Sequence, residues 1–369
     1  MSVTIPEKMR ACLVHEDKKV EVQEIPVPLI DDDEVLIKVH AVAQNPTDWK
    51  QPQTIIGCDF SGTVVKLGNT AEVQGLVKIG DHVAGFLQGG TYTDRGAFAE
   101  YVKTPADLVW RVPRGTLTHE EAATMGCGLW TAVQALYHPD RLGLIEPPSK
   151  TEQNEWIFIQ GGSSEFYKLL PLGKDSDFII QASVGQYAIQ LAHASGYKVA
   201  TVASSHNHNL VKNLGADIVF DYKSPTVITD IKSATGDNIH IALDAFSTPE
   251  SQQLTTNILA PGKGKIILIL GIDETSKNMR PDVEFQGTLI YTALGKEFSY
   301  GKTVYHASES DRGHMASFLP KISALVESGD LRPNKVKLWE GGLSAVNEGF
   351  EYMQAGNVSG IKIVYRVPA

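Results

Sequence analysis

The clearest pattern in the chain is an apolar, β-branched run at residues 156–160 (Trp156, Ile157, Phe158, Ile159, Gln160), which predicts a buried strand. From Val184 onward, Tyr187, Ala188, Leu191 and Ala192 recur at helical spacing and predict a helix with one buried face. Residues 198–203 repeat the strand pattern, Phe220 and Asp221 end a third run just before Tyr222, and 239–246 and 265–271 add two more. Strands alternating with helices predict a parallel, doubly wound α/β sheet. The earlier part of the chain reads differently. Residues 10–15 and 20–25 form a hairpin pattern, 34–43 a strong strand and 44–50 a polar turn. Glycine-punctuated strands then follow at 56–68, 79–85, 96–102 and 109–113, as in a compact β-barrel. Thr118 and Glu121 make an S/T-x-x-E capping box, whose helix leads to residues 128–136. After 271 come a predicted strand at 287–294, a helix at 315–328 and a last strand at 361–366 that returns to the first unit. The expected division is 1–130 for the β-rich unit, 131–303 for the inserted sheet unit and 304–369 for the return.

Between the strand at 156–160 and the helix from Val184, small residues cluster: Gly161, Gly162, Ser163, Ser164, then Ser183, Val184 and Gly185. With residues 165–182 set aside they read G-x-x-S-x-x-G. Small residues here let backbone N–H groups at a helix N-terminus approach a pyrophosphate. The segment 165–182 interrupts a turn whose function depends on tightness, and its composition is neither clean helix nor clean strand. It is read as an unspliced intron carried into the coding sequence, with a genuine looped-out insertion as the alternative. About 20 residues past Gly185, where a site for NAD places an acid against the ribose 2′-hydroxyl, stand Ser204, Ser205, His206 and Asn207, with Lys212 further along. Hydroxyl, amide and imidazole donors without an acid suit a 2′-phosphate, which points to NADPH. Tyr222 is placed on the adenine side.

Composition narrows the function class. The 369 residues are 42% hydrophobic and carry a formal charge of −10, which argues against a broad nucleic-acid or membrane footprint. No apolar run reaches the length of a membrane span or a signal peptide core. Three well-separated cysteines (Cys12, Cys58, Cys127) imply no disulfide framework and fit a reducing, cytoplasmic setting.

The motifs at 45–50 (NPTDWK), 57–62 (GCDFSG), 80–83 (GDHV), 96–101 (GAFAEY), 161–164 (GGSS) and 214–217 (LGAD) resemble the medium-chain dehydrogenase/reductase superfamily. The loop 204–207, residues 220–222 (FDY) and 358–360 (VSG) are similar to its branch of fungal trans-acting enoyl reductases of polyketide biosynthesis. The resemblance spans nearly the whole chain apart from 165–182. It implies a GroES-like β-barrel catalytic domain and a Rossmann NADPH-binding domain. Zinc-dependent members need an early cysteine, a His-Glu pair and a four-cysteine lobe, whereas this chain has Asn45, Pro46, Thr47 and Asp48 at the turn, Cys58 and Asp59 after Gly57, and no C-x-x-C. Cys58 reads as a small core cysteine and His206 and His208 as parts of the phosphate-side loop, so no metal is expected. The stretch 50–56 is shorter than in relatives, beside the substrate.

The resemblance also supplies expected roles. Lys50 is the candidate to bind cofactor or substrate and to relay a proton, with Thr47 on the same turn, and Thr248 is a candidate substrate contact. Thr131, Phe246, Thr248 and Ile269 match cofactor-lining positions, and Asn45 and Lys362 are taken with them. Without a Lewis acid, reduction of an activated C=C bond is favoured over alcohol oxidation. The expected reaction is hydride transfer from NADPH to the β-carbon of an α,β-unsaturated thioester or ketone, with hydrogen bonds holding the enolate oxygen. The implied partner is a highly reducing polyketide synthase whose carrier domain presents the substrate, and the implied state is a monomer. Two alternatives stand beside it: a free-standing NADPH quinone or enone reductase, and a non-catalytic chain whose nucleotide turn is spoiled by 165–182.

Overall fold

A computed structural model of the chain describes residues 4–15, 19–48, 54–163, 181–300 and 303–368. The β-rich unit opens with β1 (Lys8–Val14) and β2 (Val20–Pro26), an antiparallel pair that forms its own small sheet. Next come β3 (Glu34–Ala43), β4 (Asp59–Leu67), α1 (Asn69–Gln74), β5 (His82–Phe86), β6 (Tyr101–Pro105) and β7 (Val109–Arg111). Helices α2 (His119–Ala123) and α3 (Cys127–Tyr137) lead out of it. Thr118 caps α2 through the capping box read from the sequence, with both reciprocal hydrogen bonds present. The backbones of β3 and β4 run close, since a Cβ on Gly62 would lie 2.2 Å from the Lys38 carbonyl oxygen.

The sheet unit alternates β8 (Trp156–Ser163), α4 (Gln181–Ala194), β9 (Lys198–Ala203), α5 (His208–Asn213), β10 (Ile218–Asp221), α6 (Val227–Thr235), β11 (Ile239–Asp244), α7 (Pro249–Ile258), β12 (Gly264–Leu268), α8 (Glu274–Met279) and β13 (Val283–Gly287). Its six strands are parallel in the order β10-β9-β8-β11-β12-β13, so β8 is central and the order reverses beside it. The hairpin β14 (Phe298–Tyr300) and β15 (Thr303–Tyr305), α9 (Glu309–Ser328), β16 (Lys335–Trp339), α10 (Val346–Gln354) and β17 (Ile361–Arg366) complete the chain. Strand β17 pairs antiparallel with β3, closing the expected return, in a sheet ordered β16-β17-β3-β4-β5-β7 with β6 also on β3.

Four expectations are corrected. The strand placed at 287–294 lies earlier, at β13, because the apolar residues Ile290, Tyr291 and Ala293 turn inward on a 3₁₀ segment against the core. Helix α9 starts at Glu309 rather than 315, since the Ser308 hydroxyl accepts the Asp311 N–H (3.1 Å) and caps it. Strand β8 continues through Gly161 to Ser163 as a bulge against β9, with Gly161 at φ +115°, so the glycine pair ends the strand rather than opening the turn. Helix α4 starts at Gln181, so Gln181 and Ala182 belong to it rather than to the interruption. The rest of 165–182, together with Ser164, lies outside the described residues. The largest apolar cluster crosses the two units, joining Phe86 and Trp110 to α3, α4 and α9 through Trp130, Tyr187 and Phe318. Every residue of α3 is buried, so it packs on all sides within that cluster.

Candidate active site

The strand order reverses beside β8, and in a doubly wound sheet ligands bind outside the C-terminal strand ends at that point, here the ends of β8, β9, β10 and β11. Gln160 at the end of β8 and Ser204 just past β9 are buried, at 1% and 6% exposure. Gln160 Oε1 and Ser204 Oγ have no hydrogen-bond partner among the described residues. Buried polar atoms are ordinarily paired, so two orphans at the mouth of a parallel sheet mark a place for a polar ligand. Residues Ser205–Asn207 form a 3₁₀ turn. The Ser205 hydroxyl donates to Asp221 Oδ2 (2.6 Å), and Asn207 Nδ2 lies 3.1 Å from His206 Nε2 and 3.5 Å from Ser359 Oγ. Ser359 precedes β17, so this turn touches the returning strand region. Tyr222 packs against the apolar cluster on this side of the sheet, with the Lys223 ammonium 5.5 Å from its ring centroid.

The opposite lip is built around Asp244, which is fully buried at the end of β11. It accepts hydrogen bonds from the Phe246 N–H (2.9 Å), the Ser247 N–H (2.8 Å) and the Ser251 hydroxyl (2.8 Å). Burial pushes its carboxyl up to about 6 against the pull of those donors. Ser247 sits at φ +57°, in the left-handed region, and its hydroxyl donates to the Asp244 carbonyl (2.8 Å) while accepting the Ile269 N–H (2.9 Å). Thr248 caps α7, its hydroxyl accepting the Ser251 N–H (3.2 Å). Gln252 ties this turn to the end of β12 through the Ser247 and Gly271 carbonyls, each at 2.9 Å.

On the β-rich side, the Asn45 N–H donates to Asp48 Oδ2 (2.6 Å), closing the turn that carries Thr47. The Lys362 ammonium donates to Asn45 Oδ1 (2.5 Å) and lies 3.2 Å from Asp59 Oδ2. The other Asp59 oxygen accepts the N–H of Cys127 (2.6 Å), at the start of α3, where Gly126 supplies no side-chain cap. A Cβ on Gly126 would lie 2.3 Å from that carboxylate, so the position requires glycine. Burial pushes Asp48 up to about 7, with the Asp59 charge adding to the rise. Burial also pushes the Cys58 thiol well up. Thr47 neighbours the buried phenol of Tyr291. Thr131, one turn into α3, is buried beside Cys127.

Two family models match the chain: the alcohol dehydrogenase GroES-like domain at residues 31–114 and a zinc-binding dehydrogenase model at 183–304. A trans-enoyl reductase from Alternaria alternata is 34% identical over 368 residues, covering 97% of this chain and 98% of that protein. Another from Pyricularia oryzae is 31% identical, with full coverage of both chains. The chain belongs to the medium-chain dehydrogenase/reductase superfamily. The crystal structure of an alcohol dehydrogenase superfamily protein from Novosphingobium aromaticivorans superposes with a TM-score of 0.74 at 20% identity, covering 98% of this chain and 100% of that one, and shows the same fold.

As a member of this superfamily the chain is an oxidoreductase with a nicotinamide-nucleotide unit, and the orphaned Gln160 and Ser204 atoms fit such a ligand. Zinc fits poorly. Among the described residues no group of three or more His, Cys, Asp or Glu side chains is arranged to hold a metal ion. The Lys362 ammonium already supplies the cation next to Asp59.

The described residues expected from the sequence fall into four groups, with Ser183 turned elsewhere. Asn45, Thr47, Thr131 and Lys362 gather on the β-rich lip, and Phe246, Thr248 and Ile269 on the Asp244 lip. Ser204, Ser205, His206, Asn207 and Tyr222 gather at the ends of β9 and β10. Gly161, Gly162 and Ser163 stand at the end of β8, and Val184 and Gly185 are buried in α4. The Ser183 hydroxyl is committed elsewhere: it donates to Asn334 Oδ1 (2.5 Å) across the seam between the units. Lys50 and Ser164 lie outside the described residues. Sequence reasoning missed Asp244 and Tyr291 as site residues and named Asp59 only beside the core cysteine Cys58, with no role of its own. An acid ending a buried apolar run was the available signal for Asp244. Nothing local announced the Asp59–Lys362 pair, which joins positions about 300 residues apart.

Proposed function

We propose that this protein is an NADPH-dependent trans-acting enoyl reductase that reduces the C=C bond of an α,β-unsaturated polyketide thioester. Similarity at 31–34% identity over nearly the full length to proteins named trans-enoyl reductases carries this reading. Within the chain, the support is the donor-rich turn Ser204–Asn207 at the end of β9, with its orphaned Ser204 hydroxyl. In this reading Ser204, Ser205, His206 and Asn207 hold the 2′-phosphate and Tyr222 lines the adenine side. Gly161, Gly162 and Ser163 at the end of β8, Ser164 after them, and Ser183, Val184 and Gly185 in the first turns of α4 are proposed to flank the pyrophosphate, with Ser183 acting through its backbone, since its hydroxyl is used by Asn334. Asn45, Thr131, Phe246, Thr248, Ile269 and Lys362 line the nicotinamide end.

NADPH, when bound, supplies the hydride for the β-carbon. The chain's part is to hold the acyl group, stabilise the developing enolate oxygen and deliver a proton to the α-carbon. Thr47, on the turn fixed by the Asn45–Asp48 hydrogen bond, and Lys50, three residues further along the chain, are proposed for these two tasks. Thr248 contributes position through its cap rather than a free hydroxyl. The partner is proposed to be a highly reducing polyketide synthase that presents the substrate on its carrier domain, with the reductase working as a cytoplasmic monomer divided at about residues 130 and 303.

The test is a fluorescence titration of NADPH into the full chain, followed by reduction assays on an enoyl pantetheine thioester and on a small free enone. Tight binding with clear preference for the thioester supports the proposal. Equal rates on the free enone would favour a free-standing enone or quinone reductase, and absence of binding would end the reductase reading.

A further inference from the structure

We propose that Asp221 limits the coenzyme selectivity of this site, acting as a counter-charge that weakens its hold on a 2′-phosphate. The inference rests on the reading that the end of β9 receives the adenosine ribose. Strands β9 and β10 run parallel with Asp221 opposite Ala203, so their outgoing turns leave side by side. The carboxylate of Asp221 therefore stands next to the very turn that lacks an acid of its own.

The donor and acceptor inventory gives the consequence. Ser205 has one O–H, and it is given to Asp221 Oδ2 at 2.6 Å. Toward a ligand Ser205 then offers lone pairs, whereas an ionised phosphate needs donors. The other Asp221 oxygen accepts the Lys223 N–H (2.9 Å), so the carboxylate is held from both sides. The Ser205 hydroxyl and then the Lys223 N–H keep this carboxyl below the usual range. A phosphate oxygen in contact with Ser205 would come within roughly 6 Å of this charge, close enough for like charges at a partly exposed site to cost about tenfold in affinity. An uncharged ribose 2′-hydroxyl suffers no such repulsion and can donate to the same acceptors. The turn thus combines donors that suit NADPH with a neighbour that suits NADH, and both nucleotides are accepted with modest discrimination.

The experiment measures dissociation constants of NADPH and NADH for the full-length wild type, Asp221→Asn and Asp221→Ser, by nucleotide fluorescence at low and high salt. The expected result is that both variants tighten NADPH about fivefold to tenfold, leave NADH within about twofold, and show a smaller gain at high salt. A NADPH/NADH ratio that stays within twofold in both variants overturns the proposal while leaving nucleotide binding intact. Weakened NADH with unchanged NADPH also overturns it, by making Asp221 a ribose-hydroxyl acceptor. A wild type that binds neither nucleotide defeats the functional reading itself, and this inference with it.

Discussion

Lys362 and Asp59 are 5% and 0% exposed, respectively. Their pairing sets the energetics of the β-rich lip. Removing one partner of a buried pair leaves a charge without compensation, a loss of roughly 3–5 kcal/mol. Lys362→Met is expected to destabilise the protein by about that much in urea unfolding. Adding Asp59→Asn should recover part of the loss, because the amide still accepts the Cys127 N–H and no charge is stranded. A Lys362→Met loss below about 1 kcal/mol would show that the pair is not electrostatically important. Thr248 is a different kind of residue: buried at 2% exposure, with its hydroxyl used to cap α7. Thr248→Ala is expected to cost about 1 kcal/mol, whereas Thr248→Ser should hold wild-type stability in the same assay. At this scale the sequence was informative where short polar motifs mark a turn after a strand, as at Asn45 and Ser204–Asn207. For Asp244 it offered only an acid at the end of an apolar run, since the donors come from the turn and helix that follow, and it was silent on the partner that Lys362 finds at Asp59.

Elements explain a second feature, three histidines brought together by β3, β5 and α2. The His119 ring lies tilted against both others, 4.4 Å from His40 and 3.8 Å from His82, centroid to centroid. Ser61 Oγ on β4 lies 2.8 Å from His82 Nε2 and 3.0 Å from His119 Nδ1, and Thr63 Oγ1 lies 3.0 Å from His40 Nε2. Burial pushes His82 down to about 3 and His119 down to about 4, with neighbouring imidazoles adding to the effect, and lowers His40, with Lys38 adding to it. Glu120 acts in the opposite sense on His119. The sign follows from linkage. Between about pH 6.5 and 4 the unfolded chain binds protons on these rings that the folded chain refuses, so their contribution to stability falls as pH falls through that window. The raised carboxyls of Asp48 and Asp244 act in the opposite sense over the same range, so the check is a difference: the urea midpoint of the wild type is expected to fall relative to that of His119→Gln between pH 7 and pH 4.5. An unchanged difference would remove the cluster from the explanation. The strands behind this cluster were legible as glycine-punctuated runs, because period and turn residues are local signals. The predicted strand at 287–294 failed because an apolar run facing a core looks alike in a strand and in a 3₁₀ turn.

At the scale of the molecule, the two units share one apolar cluster and a polar seam. Asn334, in the return segment between α9 and β16, is buried at 4% exposure. Its side chain accepts from the Ser183 hydroxyl and donates to Gln186 Oε1 (2.9 Å) on α4. Its N–H reaches Thr124 Oγ1 (3.2 Å) and the Tyr187 hydroxyl (3.1 Å). Nearby, Gln190 of α4 exchanges hydrogen bonds with the Arg332 backbone at 2.8 and 3.3 Å. One short return segment therefore seats the nucleotide-side helix against the end of α2 and the buried helix α3. Fold order was readable from the sequence because strands and helices alternate, but this seam was not, since its partners lie about 150 and 210 residues apart. Asn334→Ala leaves the Ser183 hydroxyl and the Gln186 amide unsatisfied in a buried place, which costs about 1–3 kcal/mol. Because the apolar cluster still spans both units, unfolding of the variant should remain a single transition, at a lower urea concentration, by fluorescence and by circular dichroism alike. Weaker nucleotide binding should accompany it, since α4 loses an anchor near its N-terminus. Two separated transitions in the variant would mean that the seam, rather than the shared core, holds the units together.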